Sequence, residues 1–130
     1  MNFQVTETFS NGTYNELGTF KTETEARNFF AEQLKEDGFQ PTDMKSWDLE
    51  LNKLNLDEDG DIEGIENIES QTLYNEGTID RKNYKGESAI NYGFESVWNA
   101  EKKELEYTFY FQGEKEEGTV LESELKNWYF

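Results

Sequence analysis

The chain lacks the two residue types on which many catalytic and metal sites depend. Its 130 residues include no His, no Cys and only one Pro. These absences exclude a Cys nucleophile, a Ser-His-Asp triad, a His base, zinc sites built from Cys or His, and any disulfide framework. They leave an acidic binding protein, an acidic metal binder, or an enzyme that works with carboxylates and hydroxyls alone.

Positive charge is also scarce. Lys and Arg together number 12 against 29 Asp and Glu, so the formal net charge is −17. Phosphate contacts need clusters of Lys and Arg, and a chain of this charge repels a polyanion, so direct binding to nucleic acid is not expected. Because solubility of a small domain requires a net charge of only about 2 to 8 in magnitude, the excess favours a partner that is itself basic.

Aromatic residues compensate for a low hydrophobic content. Only 34% of the residues are hydrophobic, but they include ten Phe, seven Tyr and three Trp, each able to bury roughly 150 to 250 Å². We therefore expect one folded domain over residues 1–130 rather than disorder. The N-terminus lacks the pattern of a secretory signal and no apolar run could span a membrane, so the expected location is the cytoplasm, without membrane contact.

The N-terminal third is predicted to form a ββα unit. Asn11-Gly12 is typical of the two-residue type I′ turn of a hairpin. Thr22 and Glu25 form a capping box that starts a helix ending near Gly38. The predicted hairpin register pairs Phe9 with Tyr14, Val5 with Gly18 and Phe3 with Phe20, and leaves Glu7 facing Glu16.

A long aromatic hairpin is predicted near the C-terminus. Residues 90–98 and 105–111 alternate in the manner of strands, and Asn99 is expected to pair with Glu104 across a four-residue loop. This register pairs Trp98 with Leu105, Phe94 with Phe109 and Tyr92 with Phe111, an aromatic ladder that we expect at the centre of the core. Tyr74 and residues 79–84 are expected to add one or two strands.

Two further helices complete the predicted fold. Residues 42–54 match both a helical stripe and a strand alternation, and the helix is favoured. A second capping box, from Thr119 to Glu122, predicts a short C-terminal helix. The predicted class is α+β, with an antiparallel sheet built from the ββα unit and the aromatic hairpin, and with two or three helices.

The most polarised part of the chain is the acidic segment, residues 54–80, which contains nine acidic residues and no basic one. Within it, residues 55–66 resemble an EF-hand calcium loop, with oxygen-bearing side chains at alternate positions, Gly60 at the sharp turn and Glu66 at the end. The resemblance implies calcium ligation, with residues 47–54 as the entering helix. An ordinary turn rich in Asp and Gly would have the same residue types. The candidate ligands are Asn55, Asp57, Asp59, Asp61, Glu63 and Glu66.

The favoured functional hypothesis is a non-catalytic inhibitor without a cofactor. Carboxylates on a protein surface can imitate the charge of DNA and occupy the basic groove of a nuclease or another nucleic-acid-binding enzyme. Anti-restriction, anti-CRISPR and toxin-immunity proteins of phages and mobile elements act in this way, and the likeness is one of composition. Two alternatives are a calcium-binding protein and an acidic interaction module of another role. The predicted partner-binding residues are Asp57, Glu58, Asp59, Asp61, Glu63, Glu66 and Glu69, with Tyr74 or Trp128 as an apolar anchor.

Overall fold

The computed structural model describes residues 2–36, 45–83, 85–116 and 118–130. The elements are β1 (Phe3–Phe9), β2 (Tyr14–Phe20), α1 (Glu23–Gln33), β3 (Ser46–Leu56), β4 (Ile62–Lys82), β5 (Ser88–Asn99), β6 (Glu104–Phe111), β7 (Glu114–Lys115), β8 (Val120–Leu121) and a 3₁₀ helix (Glu122–Trp128). The strands form one antiparallel sheet in the order β2-β1-β3-β4-β5-β6, and both β7 and β8 pair with the outer edge of β6. The predicted α+β class is confirmed. No helix among the described residues is long and apolar enough to cross a bilayer.

Helix α1 begins where the capping box predicts. The Thr22 hydroxyl accepts a hydrogen bond from the backbone N–H of Glu25 at 3.2 Å, which satisfies one of the free N–H groups of the first turn. The helix buries Ala26 and Phe30 against strands of the sheet. The ββα unit is therefore confirmed. Its helix ends at Gln33, before the predicted end near Gly38, which lies outside the described residues.

The first hairpin has a different turn from the predicted one. Gly12 N–H donates to the Phe9 carbonyl, Phe9 N–H donates to the Thr13 carbonyl, and Gly12 has a φ of 87°. This is a three-residue loop closed by a left-handed glycine, so the type I′ prediction and the pairing of Phe9 with Tyr14 are wrong. The predicted pairs nearer the open end, Val5 with Gly18 and Phe3 with Phe20, are confirmed.

A β-bulge at Leu17 shifts the pairing register by one residue between the open end of this hairpin and its turn. It places Glu7 opposite Asn15, whose side-chain amide donates to the Glu7 carboxylate at 3.0 Å. The predicted contact of Glu7 with Glu16 is therefore wrong. Since like charges directly opposite each other destabilise a sheet, the bulge exchanges a repulsion for a hydrogen bond.

Strand β3 replaces the helix favoured for residues 42–54, of which residues 42–44 lie outside the described ranges. β3 is hydrogen-bonded to β1 on one edge and to β4 on the other. Leu49 and Leu51 are fully buried in the core under α1. The helix prediction is wrong because neighbours on both edges satisfy the backbone of this segment as a strand.

Strand β4 carries most of the acidic segment and joins the two halves of the sheet. β3 pairs with its residues 62–75 and β5 with its residues 74–82, so the one or two strands predicted around Tyr74 and residues 79–84 are one continuous strand that ends at Lys82. Tyr84 lies outside the described residues. The register with β3 slips by one residue at Glu63, Ile68 and Leu73. Such bulges bend a strand and increase its twist.

The aromatic hairpin of β5 and β6 has the predicted register. Trp98 pairs with Leu105 and Phe94 with Phe109, and the rings of Tyr92 and Phe111 lie 5.4 Å apart. Only the Trp98–Leu105 pair of the ladder belongs to the main buried cluster, so the expectation that the ladder forms the centre of the core is wrong. The main buried cluster lies under α1 and consists of Val5, Ala26, Phe30, Leu49, Leu51, Leu73, Trp98 and Leu105.

The C-terminal segment also differs from its prediction. Val120 and Leu121 form β8, so the helix does not begin at the predicted Thr119 cap. The 3₁₀ helix starts at Glu122, and the Glu124 carboxylate accepts a hydrogen bond from Leu121 N–H at 3.3 Å. A capping interaction exists, but it lies two residues later than the sequence indicated.

Candidate interaction surface

The turn between β3 and β4 holds four of the predicted contact residues. Asp57 N–H donates to the Asp61 carbonyl at 2.8 Å, and one Asp57 carboxylate oxygen accepts from the N–H groups of Asp59 and Asp61, both at 2.9 Å. Gly60 closes the loop with a φ of 85°. The residues that resemble a calcium loop thus form a tight hairpin turn that presents Glu58 and Asp59 to solvent.

The other three predicted contact residues follow along β4 and do not form one patch with the turn. Glu66 lies opposite Lys53 of β3. Glu69 accepts from the Arg27 guanidinium at 3.1 Å, and Arg27 also contacts Glu23 at 3.4 Å. Glu69 is therefore partly neutralised by α1, whereas no ion pair among the described residues reaches Asp57, Glu58, Asp59, Asp61 or Glu63.

Two isoleucines accompany these unpaired carboxylates. Ile62 is 58% exposed and Ile65 is 59% exposed. Exposed β-branched residues beside unpaired charges resemble the centre of a binding surface, where an apolar anchor is surrounded by a polar rim. Both lie within residues 55–66, which resemble a calcium loop, so the sequence does not single them out as an apolar anchor.

The two isoleucines line an open groove of about 380 Å³ on the sheet face opposite α1. The groove has a polar floor in which Thr6 and Asn52 are buried, and the Asn67 side-chain amide donates to the Asn52 side-chain Oδ1 at 2.9 Å. Among the described residues no buried side-chain N or O atom lacks a hydrogen-bond partner. The polar groups of the floor are thus satisfied, and Tyr14, Glu16 and Glu50 also line the groove.

The two apolar anchors predicted from the sequence, Tyr74 and Trp128, do not line this groove. Tyr74 is only 7% exposed, and its hydroxyl donates to the Glu76 carboxylate at 3.0 Å. Trp128 is half exposed, in the C-terminal 3₁₀ helix. Tyr74 is therefore unsuited to be an anchor, and the isoleucines beside the turn fill that role better.

Tyr74 belongs to a cluster of two tyrosines and two glutamates. Glu76 and Glu95 lie directly opposite each other on β4 and β5. Burial, the hydrogen bond to Glu76 and the charge of Glu95 raise the pKa of Tyr74. Burial, with the charge of Glu95 and a hydrogen bond to it, also raises the pKa of Tyr110. The phenol protons thus stabilise two carboxylates that would otherwise repel each other across the strands.

The resemblance to an EF-hand requires a helix before the loop, and the structure has a strand there. Its expected entering helix is β3, and Asn55 lies in that strand opposite Gly64. Among the described residues no group of three or more acidic side chains is placed to hold a metal ion. Calcium binding stays a prediction, and a calorimetric titration of the whole chain with millimolar Ca²⁺ tests it directly.

Comparisons of the chain with protein-family models, with curated proteins and with solved structures returned no match.

Proposed function

We propose that this chain is an acidic, non-catalytic binding protein that acts in the cytoplasm and inhibits a basic, nucleic-acid-handling protein by imitating nucleic-acid charge. The observation that carries the proposal is the β3–β4 hairpin. Its unpaired carboxylates from Asp57 to Glu63 project beside the exposed side chains of Ile62 and Ile65. Carboxylates accelerate and orient association with a basic surface, and the isoleucines supply apolar area that holds the complex together.

The charge of the whole chain supports the same partner class. A net charge of −17 in 130 residues gives the chain a negative long-range potential. Lys- and Arg-rich grooves that bind phosphates attract such a field, and nucleic acid would compete for the same groove. The partner is therefore defined by its chemistry, as a protein with a basic nucleic-acid groove.

The test is affinity capture from a bacterial lysate with two matched double variants. Glu58→Lys with Glu63→Lys reverses charge on the hairpin, whereas Glu36→Lys with Glu101→Lys makes the same change in net charge at exposed positions elsewhere. We expect the captured protein to be lost with the first pair and retained with the second. Duplex DNA added in excess should release it from the wild-type chain.

Salt dependence and competition decide between this proposal and another type of contact. Electrostatic mimicry requires an affinity that falls with salt. A captured protein that stays bound in excess DNA and in high salt, or that both variant pairs release equally, would contradict the proposal.

A further inference from the structure

A second cavity lies far along the sheet from the β3–β4 turn. It has a volume of about 330 Å³ and is bounded by the end of β4, by β5 and β6, and by the C-terminal segment. This volume lies at the lower end of the range for small-molecule sites, about 300 to 1,000 Å³. The apolar side chains that line it are Tyr92, Phe109, Val120, Trp128 and Phe130.

The aromatic walls of the cavity support one another. The rings of Phe109 and Phe130 are stacked with their centres 4.2 Å apart and their planes within 3°, and Tyr92 meets Phe130 edge-on at 5.6 Å. The edge-on contact of Tyr92 with Phe130 has the geometry that aromatic pairs prefer. The cavity therefore has a preformed apolar surface against which a further ring can pack.

Two opposite charges, Arg81 and Glu116, line the same cavity. The Arg81 Nε donates to the Trp128 carbonyl at 3.0 Å, and the guanidinium carbon lies 5.7 Å from the centre of the Phe130 ring. Its two terminal amino groups have no acceptor among the described residues, and Glu116 is not paired with it. A guanidinium that is held at Nε and keeps its terminal donors free is suited to bind a carboxylate with two parallel hydrogen bonds.

The net charge of the protein restricts the ligand further. A net anion would be repelled by the −17 field and by Glu116 in the cavity wall. A zwitterion avoids both repulsions, because its carboxylate can pair with Arg81 while its ammonium pairs with Glu116. We infer that this cavity binds a small aromatic zwitterion, which is the chemistry of a free aromatic α-amino acid. The inference does not rest on the proposed inhibitory function.

The test is an NMR titration of the whole ¹⁵N-labelled chain with phenylalanine at about 0.15 M salt, where long-range charge effects are screened. The chain provides internal controls, since the indole N–H groups of Trp47 and Trp98 donate to Glu7 and to the Leu34 carbonyl, away from the cavity. We expect the Trp128 indole resonance to shift with added phenylalanine and the other two to stay in place.

Two related compounds test the charges of the ligand without changing the protein. Phenethylamine lacks the carboxylate and 3-phenylpropionate lacks the ammonium, and each should bind about tenfold or more weakly than phenylalanine. Equal affinity for the three compounds, or no shift of Trp128 at about 10 mM phenylalanine, would overturn the inference.

A matched pair of variants tests Arg81 itself. Arg81→Met should abolish the preference for phenylalanine over phenethylamine. Lys82→Met makes the same change in charge one position along the strand, at an exposed residue outside the cavity, and should retain the preference. An Arg81→Met protein that keeps the wild-type spectrum and still prefers phenylalanine would also overturn the assignment.

Discussion

At the scale of single residues, Trp98 links the sheet to the helix above it. Its side chain is 6% exposed within the main core, and its indole N–H donates to the Leu34 carbonyl at 2.7 Å. Leu34 is the C-cap of α1, so this bond satisfies one of the carbonyls that a helix leaves free at its end.

We predict that Trp98→Phe lowers the free energy of unfolding by about 2 kcal/mol, because it removes the donor to a helix-terminal carbonyl and leaves a void in the core. Trp128→Phe is the matched control. Trp128 is half exposed, and the change should cost less than about 0.5 kcal/mol. Urea unfolding followed by circular dichroism measures both, and equal losses would show that Trp98 has no special role.

The tyrosines beside Glu76 and Glu95 predict a loss of stability at alkaline pH. The pKa of Tyr74 and of Tyr110 is raised in the folded state, whereas an unfolded tyrosine ionises near pH 10. Below that pH both states keep the phenol protons. Above it the unfolded state releases them first, so the free energy of unfolding must fall as the pH rises past about 10.

Urea unfolding between about pH 9 and 11 measures this loss. Replacing Tyr74 and Tyr110 together by Phe should flatten the decline, while Tyr14→Phe, at a residue that is 67% exposed, should leave its slope nearly unchanged. The slope is compared rather than the absolute stability, because the double variant also loses two hydrogen bonds. A decline as steep as that of the wild type would contradict the assignment.

At the scale of elements, the first half of β4 is an unusual strand. β3 pairs with its residues 62–75, but β5 begins to pair only at Tyr74, so no described strand lies on the other edge of residues 62–73. Natural sheets protect such edges with bulges and charged side chains. This edge has both, with bulges at Glu63, Ile68 and Leu73 and with carboxylates at Glu63, Glu66 and Glu69.

We therefore predict that Glu63→Thr combined with Glu66→Thr makes the protein self-associate, because β-branched residues replace the charges that oppose pairing at this edge. Light scattering at a series of protein concentrations measures the effect. Glu36→Thr with Glu101→Thr removes the same charge from exposed positions outside β4 and should leave the protein monodisperse. If both pairs aggregate alike, net charge and not the edge is responsible.

At the scale of the whole molecule, repulsion outweighs attraction. The ion pairs among the described residues are exposed contacts of Arg27 and Lys35 with neighbouring glutamates, and such pairs contribute less than about 1 kcal/mol each. Internal ion pairs do not change the net charge, so the full −17 remains within a compact fold. Salt screens this repulsion over a distance that shortens from about 30 Å at 0.01 M to about 10 Å at 0.1 M.

We predict that the melting temperature rises by several degrees between about 0.01 and 0.5 M NaCl, because screening relieves repulsion that only the compact state experiences. Thermal unfolding followed by circular dichroism measures this shift. A CaCl₂ series at matched ionic strength is the control, since extra stabilisation in calcium would point to specific ion binding. A melting temperature that falls with NaCl would show that the ion pairs dominate instead.

The sequence alone determined those elements whose signals are local. The capping box of Thr22 and Glu25 needs only one helical turn, and the register of β5 and β6 follows from alternation on both sides of a four-residue loop. The net charge and the concentration of acids in residues 54–80 are also properties of the sequence. The class of partner that we propose follows from them.

Only the tertiary structure decided the features that depend on distant neighbours. Residues 42–54 match both a helical and a strand period, and hydrogen bonds to β1 and β4 make the described part of this segment a strand. The exposure of Ile62 depends on which face of the sheet α1 covers. The cavity around Arg81 is assembled from segments up to 49 residues apart, and no local pattern brings them together. Periodicity reports which residues could share a face, whereas burial and contact follow from what packs against that face.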